Sequence, residues 1–233
     1  MQKRKSITQI LRLPSICTLC NHYHYGAFAV CNDCIKLLQP IKQACQLCAL
    51  PLQGEDTFLI CGYCCKQKPY FDEAVAAYHF EEPLRTLLHE FKYREGLYLA
   101  TLFTELMLEK IPRRMTDSQC LLPVPMSTAR LRMRGFNQAV ELTKRLSKRL
   151  QIPYELDLCR KIKETAAQAS LNSKQRQKNI RGAFMVKAIQ YKHVTLVDDL
   201  LTTGSTANEL ARALKKQGVE QVDVWCCARA VLN

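Results

Sequence analysis

No run of apolar residues in this sequence approaches the roughly 18 needed to cross a bilayer as a helix, so membrane insertion is not expected. Two common glycine-rich phosphate loops are also missing. The chain contains neither G-x-G-x-x-G nor G-x-x-x-x-G-K-[ST], which argues against dinucleotide-binding and Walker-type folds. No helix-turn-helix pattern is visible, which counts against a transcriptional regulator. A secretory signal is lacking too. The basic start MQKRKSITQILRLP is interrupted by Thr8, Gln9 and Arg12 and stopped by Pro14, with no small-residue cleavage site after it. The expectation is a short amphipathic lead-in to a cytoplasmic protein.

Acids are scarce as well: 21 Asp and Glu stand against 34 Lys and Arg, a net charge of +13. The imbalance is concentrated. Between Arg130 and Arg181 there are fourteen Lys or Arg and four acids, Glu141, Glu155, Asp157 and Glu164. Such a density attracts polyphosphates and nucleic-acid backbones, although a basic run also serves as a plain solvated face. With 48% hydrophobic and 24% charged residues, the 233-residue chain has an ordinary globular composition, enough for one core and a small satellite.

Cysteine is plentiful. Thirteen are present, and eight form four C-x-x-C pairs: Cys17/Cys20, Cys31/Cys34, Cys45/Cys48 and Cys61/Cys64. Two such pairs supply the four thiolates of a tetrahedral Zn²⁺, the two-residue gap letting one tight turn present both sulfurs. The spacing repeats: a pair, ten residues, a pair; then ten residues; then a pair, twelve residues, a pair. Disulfides are the competing reading, and the cytosol-like remainder of the chain argues against them. Two structural zinc ions are expected, one on the first four cysteines and one on the last four. A cross-braced pairing or a single degenerate site are the alternatives, and Cys65 competes with Cys64 as a ligand. His22 and His24 read as loop histidines. Cys120, Cys159, Cys226 and Cys227 read as buried core residues. Four thiolates leave no open position for substrate, so the metal would supply folding energy to residues 1–68.

After the polar bridge Lys66–Tyr70 the composition changes, and residues 69–233 are expected to form an α/β domain. Leu84, Leu87, Leu88 and Phe91, then Leu99, Leu102, Phe103 and Leu106, recur at helical spacing. A short strand is expected at Cys120–Pro125. A helix is expected from about Asn137 to Leu150, with Ala139, Leu142, Leu146 and Leu150 inward. Val194, Leu196 and Val197 read as a buried parallel strand with Asp198 and Asp199 at its carboxyl end, where open α/β sheets place ligands. Thr202-Thr203-Gly204-Ser205-Thr206 then turns into a helix carrying Leu210, Ala211 and Leu214, and Val219–Cys227 reads as the next strand. Gly204 lets main-chain amides approach a ligand, the hydroxyls add donors, and the helix N-terminus favours an anion. Paired acids above a phosphate cradle suggest a ribose phosphate, its hydroxyls on Asp198 and Asp199.

The run LVDDLLTTGST resembles the phosphoribosyl-pyrophosphate motif of type I phosphoribosyltransferases. Along nearly its whole length the chain resembles the ComF family of competence-associated proteins. The paired cysteines, His89-Glu90-Phe91-Lys92-Tyr93, Pro123-Val124-Pro125, and Arg130 through Arg134-Gly135-Phe136-Asn137-Gln138 carry the resemblance. Gln168, Leu171, Arg176, Asn179, Gly182 and Phe184 continue it. Leu200 and Ser205 depart from the family's more usual Val and Ala.

The resemblance implies a parallel-sheet phosphoribosyltransferase-like domain preceded by a zinc ribbon. It implies phosphoribosyl pyrophosphate on Asp198, Asp199 and residues 202–206, with Mg²⁺ bridging pyrophosphate and ribose oxygens. Pro123–Gly135 would be a pyrophosphate loop, with Arg130, Arg132 or Arg134 facing the diphosphate, and Thr165–Arg181 a flap. For R-G-F-N-Q the plainer reading is a turn at Gly135 and a helix cap at Asn137, and both readings can hold together. The implied role is natural transformation, with incoming single-stranded DNA and a helicase-like protein as partners. If the chain is catalytic, Asp198 and Asp199 would serve displacement of pyrophosphate from ribose C1. The alternatives are a non-catalytic DNA-binding competence factor that senses the ligand, and a phosphoribosyltransferase of nucleotide metabolism.

Overall fold

The computed structural model describes residues 13–52, 59–163 and 180–231. At its centre lies a parallel sheet of four strands: β3 (Glu73–His79), β4 (Cys120–Pro123), β7 (His193–Leu201) and β8 (Gln221–Arg229), in the spatial order β3-β8-β7-β4. Side chains alternate across it. Trp225 and Cys227 join one buried cluster, and Val224 and Cys226 join the other, so both faces are covered.

Three helices, α3 (Leu84–Glu90), α4 (Ala100–Leu108) and α6 (Gln138–Leu150), cover the Trp225 face. Every apolar residue expected at helical spacing between Leu84 and Leu106 is buried there, a 3₁₀ turn at Arg94–Leu99 joining the two helices. In α6 the predicted Ala139, Leu142 and Leu146 are buried, and Leu150 packs at the cluster's margin. Helix α7 (Ser205–Lys216) lies on the opposite face with Leu210, Ala211 and Leu214 fully buried, completing the predicted βαβ unit between β7 and β8. A small antiparallel pair, β5 (Cys159–Lys161) and β6 (Phe184–Val186), packs beside α7. The N–H of Gly182 at its base donates to Glu209 Oε1 at 2.7 Å.

One difference from the sequence reading matters for the site. Strand β7 does not end before the aspartates. It continues through Leu201 because β8 is nine residues long and keeps supplying partners, Asp198 opposite Cys226 and Leu201 opposite Arg229. Strand β4 stops at Pro123, opposite Val197. Beyond that point one side of β7 is open.

The N-terminal part contains two copies of one small unit. Each begins with a knuckle closed by a main-chain bond, Asn21 N–H to Cys17 O at 2.9 Å and Ala49 N–H to Cys45 O at 2.8 Å. Asn21 and Ala49 share the left-handed conformation, at φ 58° and 53°. Each copy ends in a short helix, α1 (Asn32–Lys36) or α2 (Gly62–Lys66), started by a cysteine at ψ 157°. The first copy adds the hairpin β1 (Ser15–Ile16) and β2 (Tyr23–His24). Between the copies, residues 39–46 run along β3. His79 N–H donates to Gln39 O at 3.0 Å, Ile41 N–H to Ala77 O at 3.1 Å, and Pro40 bridges Tyr78 in antiparallel sense. That contact occupies what would be the bare edge of the sheet. The lead-in before Leu13 and most of the Thr165–Arg181 flap, with Gln168, Leu171, Arg176 and Asn179, lie outside the described residues. No described helix is long and apolar enough to cross a membrane.

Candidate functional site

Where β4 ends and β7 runs on, a cleft of about 250 Å³ opens at the carboxyl end of the sheet. One wall is Asp198–Thr202 and the start of α7, with Gly204, Ser205, Thr206 and Ala207. Gly204 stands at φ 74° as the residue before the helix, a conformation in which a side chain is strained. Thr203 does not face the cleft. Its Oγ1 accepts from Ser205 N–H at 3.2 Å and lies 2.8 Å from Ser205 Oγ, which shapes the turn. The first turn of a twelve-residue helix, Ser205–Ala207, therefore borders the cleft, with the positive end of its dipole there.

The opposite wall is built by the arginine segment. Residues expected as loop are largely helical: α5 spans Thr128–Arg134, and the loop proper is Val124–Ser127. Helical phase decides which arginines count. Arg130 and Arg134, one turn apart, line the cleft, while Arg132 is exposed and turned away. Gly135, at φ 79°, ends α5 in the left-handed conformation and does not line the cleft. Asn137 caps α6, its Oδ1 accepting from Ala139 N–H at 3.0 Å, as the plainer reading of R-G-F-N-Q expected.

Four residues without an assigned role complete the walls: Lys92, Ser127, Gln138 and Lys161. Gln138 is nearly fully buried and links the Lys92 segment to Arg134. Its Nε2 donates to Phe91 O at 3.3 Å, beside Lys92, and its Oε1 accepts from Arg134 Nη1 at 3.3 Å. Phe91 is itself packed between Phe103 and Phe136, at ring distances of 5.0 and 6.0 Å. Lys92 is thus placed by a buried aromatic anchor. The H-E-F-K-Y run was the signal that could have found it. Lys161 had none, since it arrives at the end of β5.

Electrostatically the cleft is divided. Lys92, Arg130, Arg134 and Lys161 bring positive charge, and Asp198 and Asp199 bring negative charge. Burial, then the adjacent Asp199 charge, push the Asp198 carboxyl well above the usual carboxylate range, and Arg134 offsets this in part. Asp198 Oδ1 also accepts the N–H of Asp199 at 2.9 Å. Two adjacent half-buried carboxylates on a cleft wall welcome hydroxyl donors or a cation.

The second set of candidate residues is the cysteines. The sulfurs of Cys17, Cys20, Cys31 and Cys34 lie within 4.8 Å of one another, and so do those of Cys45, Cys48, Cys61 and Cys64. Cys20 and Cys31 sulfurs are 3.8 Å apart, and Cys48 and Cys61 3.6 Å. A tetrahedral ion ~2.3 Å from each sulfur sets them about 3.8 Å apart, whereas a disulfide needs about 2.05 Å. The donor set and spacing fit one metal ion in each group, paired as first four and last four rather than cross-braced. Cys65 is exposed and belongs to neither group, and neither do His22 and His24. Main-chain N–H groups donate to the first sulfur of each set, Cys31 to Cys17 and Cys61 to Cys45, both at 3.3 Å. Burial opposes ionisation of Cys17, but the amides of Cys31, Cys20 and Leu19 prevail and bring its thiol down to about 6. Cys120, Cys159, Cys226 and Cys227 are buried core residues, as expected.

Comparison with known proteins agrees with this architecture. Residues 136–230 match the phosphoribosyl transferase domain family. Competence protein F of Haemophilus influenzae is 33% identical over 216 residues, covering 89% of this chain and 93% of that protein. DNA utilization protein YhgH of Shigella flexneri is 31% identical over 229 residues, covering 95% of this chain and all of that protein. Competence protein ComFC of Streptococcus pneumoniae is 24% identical over 205 residues, covering 86% and 87%. A parallel sheet with an Asp-Asp strand leading into the Thr202–Thr206 loop, two four-cysteine groups and similarity along nearly the whole chain converge: the chain belongs to the competence protein F family.

Proposed function

We propose that the chain binds phosphoribosyl pyrophosphate in the cleft at the end of β7 and acts in natural transformation, on single-stranded DNA that has reached the cytoplasm. The observation that carries the ligand is one cleft joining three kinds of wall: paired carboxylates, a helix N-terminus with hydroxyls, and two arginines one turn apart. Asp198 and Asp199 accept from the two ribose hydroxyls. Thr202, Ser205, Thr206 and the first amides of α7 take the 5′-phosphate. Arg130 and Arg134, with Lys92, face the pyrophosphate, where guanidinium forks suit phosphate oxygens. Asp198 and Asp199 would hold a Mg²⁺ accompanying the ligand, and the ion would neutralise charge on its phosphates. The two four-cysteine groups hold structural zinc.

If the site is catalytic, the C1–oxygen bond to pyrophosphate breaks as a nucleophile such as a base nitrogen bonds to C1. The nitrogen's proton leaves to solvent and pyrophosphate carries away the electron pair. This chain's residues then position the ribose and stabilise separating charge. Titration calorimetry of phosphoribosyl pyrophosphate with Mg²⁺ on wild type and on Asp198→Asn/Asp199→Asn is the test. Binding lost in the double variant supports the reading, and no binding to folded, zinc-loaded wild type sinks it.

A second reading rests on the basic surface. The relatives named for competence and DNA utilization make a non-catalytic DNA-binding factor its natural form. Several of these cations are paired, Lys144 and Arg145 with Glu141, Arg149 with Glu105, and Arg160 with Asp157. Surface pairs of this kind are worth only about 0–1 kcal/mol and yield readily to phosphates. Single-stranded DNA affinity that falls steeply with salt, and pyrophosphate release with none of the acceptors tried, would favour it.

A further inference from the structure

Arg229, the last residue of β8, is 6% exposed and carries its guanidinium into the interior. Main-chain carbonyls from three parts of the chain converge on it. Nε donates to Cys48 O at 3.0 Å. Nη1 donates to Leu201 O at 3.1 Å and also to the carbonyls of Thr202 and Ala230. Cys48 belongs to the second cysteine group, and Leu201 and Thr202 line the cleft at the start of its loop. One buried side chain therefore joins a metal-binding knuckle to the wall of the ligand site.

A second contact runs in parallel. Past α2, the N–H of Tyr70 donates to Asn208 Oδ1 at 2.6 Å, and the Phe71 ring lies 3.9 Å from where a Cβ on Gly204 would stand. Ala49, next to Cys48, shares a buried cluster with Phe71 and Leu201. The first cysteine group faces the other layer. Cys17 and Cys34 share a cluster with Leu87 and Leu99, and Thr18 Oγ1 lies 3.1 Å from the Tyr98 hydroxyl.

We infer that Arg229 is a positioning residue, and that through the Cys48 carbonyl the second four-cysteine centre sets the geometry of the loop starting at Thr202. Affinity for a phosphate ester in the cleft then depends on the second centre and not on the first. This rests on the reading of the cleft as a phosphate site. The physical ground is the cost of leaving a buried charge short of acceptors. If the knuckle shifts, the guanidinium must follow it or lose a bond, and the Leu201 and Thr202 carbonyls move with it.

The experiment uses the full zinc-loaded chain, with amide hydrogen exchange resolved by residue and calorimetric titration of ribose 5-phosphate. Arg229→Lys keeps the charge but cannot span these carbonyls. It is expected to exchange about tenfold faster at residues 202–206 and to bind about tenfold more weakly, the loss of one charge-assisted bond. Exchange in α4 and α6 stays as in wild type. Unchanged exchange at 202–206, or a uniform rise across the chain, overturns the inference. Should Arg229→Lys fail to fold, Cys64→Ser is compared with Cys20→Ser. Faster exchange at 202–206 in the first alone supports the coupling, and equal effects or none overturn it. If wild type does not bind ribose 5-phosphate, the phosphate-site reading falls, while the exchange comparison still decides whether the second centre governs the loop.

Discussion

The side-chain amide of Asn137 donates to the carbonyl of Val124 at 3.0 Å, tying the start of α6 to the chain just past the end of β4. The same side chain caps α6 through Ala139 N–H. Between these two anchors hangs α5 with Arg130 and Arg134. Asn137→Ala is expected to lose about 1–2 kcal/mol of stability from the cap and to weaken pyrophosphate binding by loosening the arginines. Asn137→Asp keeps the cap acceptor but not the donor to Val124, so it should recover most of the stability and little of the affinity. Urea unfolding and pyrophosphate titration separate the two effects.

Asp198 illustrates a conflict between stability and binding. Its carboxyl is raised in the folded protein, chiefly by burial and then by Asp199. An acid raised on folding destabilises as pH climbs from its unfolded value of about 3.8 through its folded value, and the penalty persists above that. Asp198→Asn is therefore expected to be more stable than wild type at pH 7.5, with the advantage fading toward pH 4. The same variant should lose ribose-phosphate binding. Denaturant midpoints at the two pH values check the sign.

Helical phase predicts an unequal arginine series. Arg130→Ala and Arg134→Ala should each weaken pyrophosphate binding by about 10- to 100-fold, the range for losing a charge-assisted bond. Arg132→Ala, altering an exposed residue outside the cleft, should change it little. Lys92→Ala should behave like the cleft arginines.

Metal content should be two zinc ions per chain. Cys20→Ser and Cys48→Ser are each expected to lose one, while Cys65→Ser and His24→Ala keep both. Strong chelation should abolish cooperative unfolding of the N-terminal part, the expected result where metal bonds to its eight thiolates supply much of the folding energy. Mass spectrometry under native conditions counts the ions.

What could be read from residue order follows what is local and apolar. The cysteine spacing marked both four-sulfur groups, and the Asp-Asp-loop-helix run marked one wall of the cleft. The extent of β7 was not legible, because its unbroken buried run stops at Val197 and Asp198–Leu200 are only half-buried where they reach the cleft. Helix α5 was invisible for a related reason: none of its residues is buried, so Thr128–Arg134 carries no apolar period. That hid the phase separating Arg132 from its neighbours. Lys161 depends on β5 pairing with β6, more than twenty residues on, and Arg229 on carbonyls from Cys48 and Leu201. Long-range pairing of this kind leaves no local mark.

The segment 39–46 laid along β3 bears on how the protein can be handled in the laboratory. A fragment starting at residue 69, the boundary that composition suggests, would present the Glu73–His79 strand with its outer N–H and C=O groups bare. Such an edge is a template for other strands, and its alanines and Tyr78 would add an apolar, sticky surface. Expression of that fragment should give more aggregate than expression of the whole chain, because segment 39–46, held between the cysteine units, covers this edge.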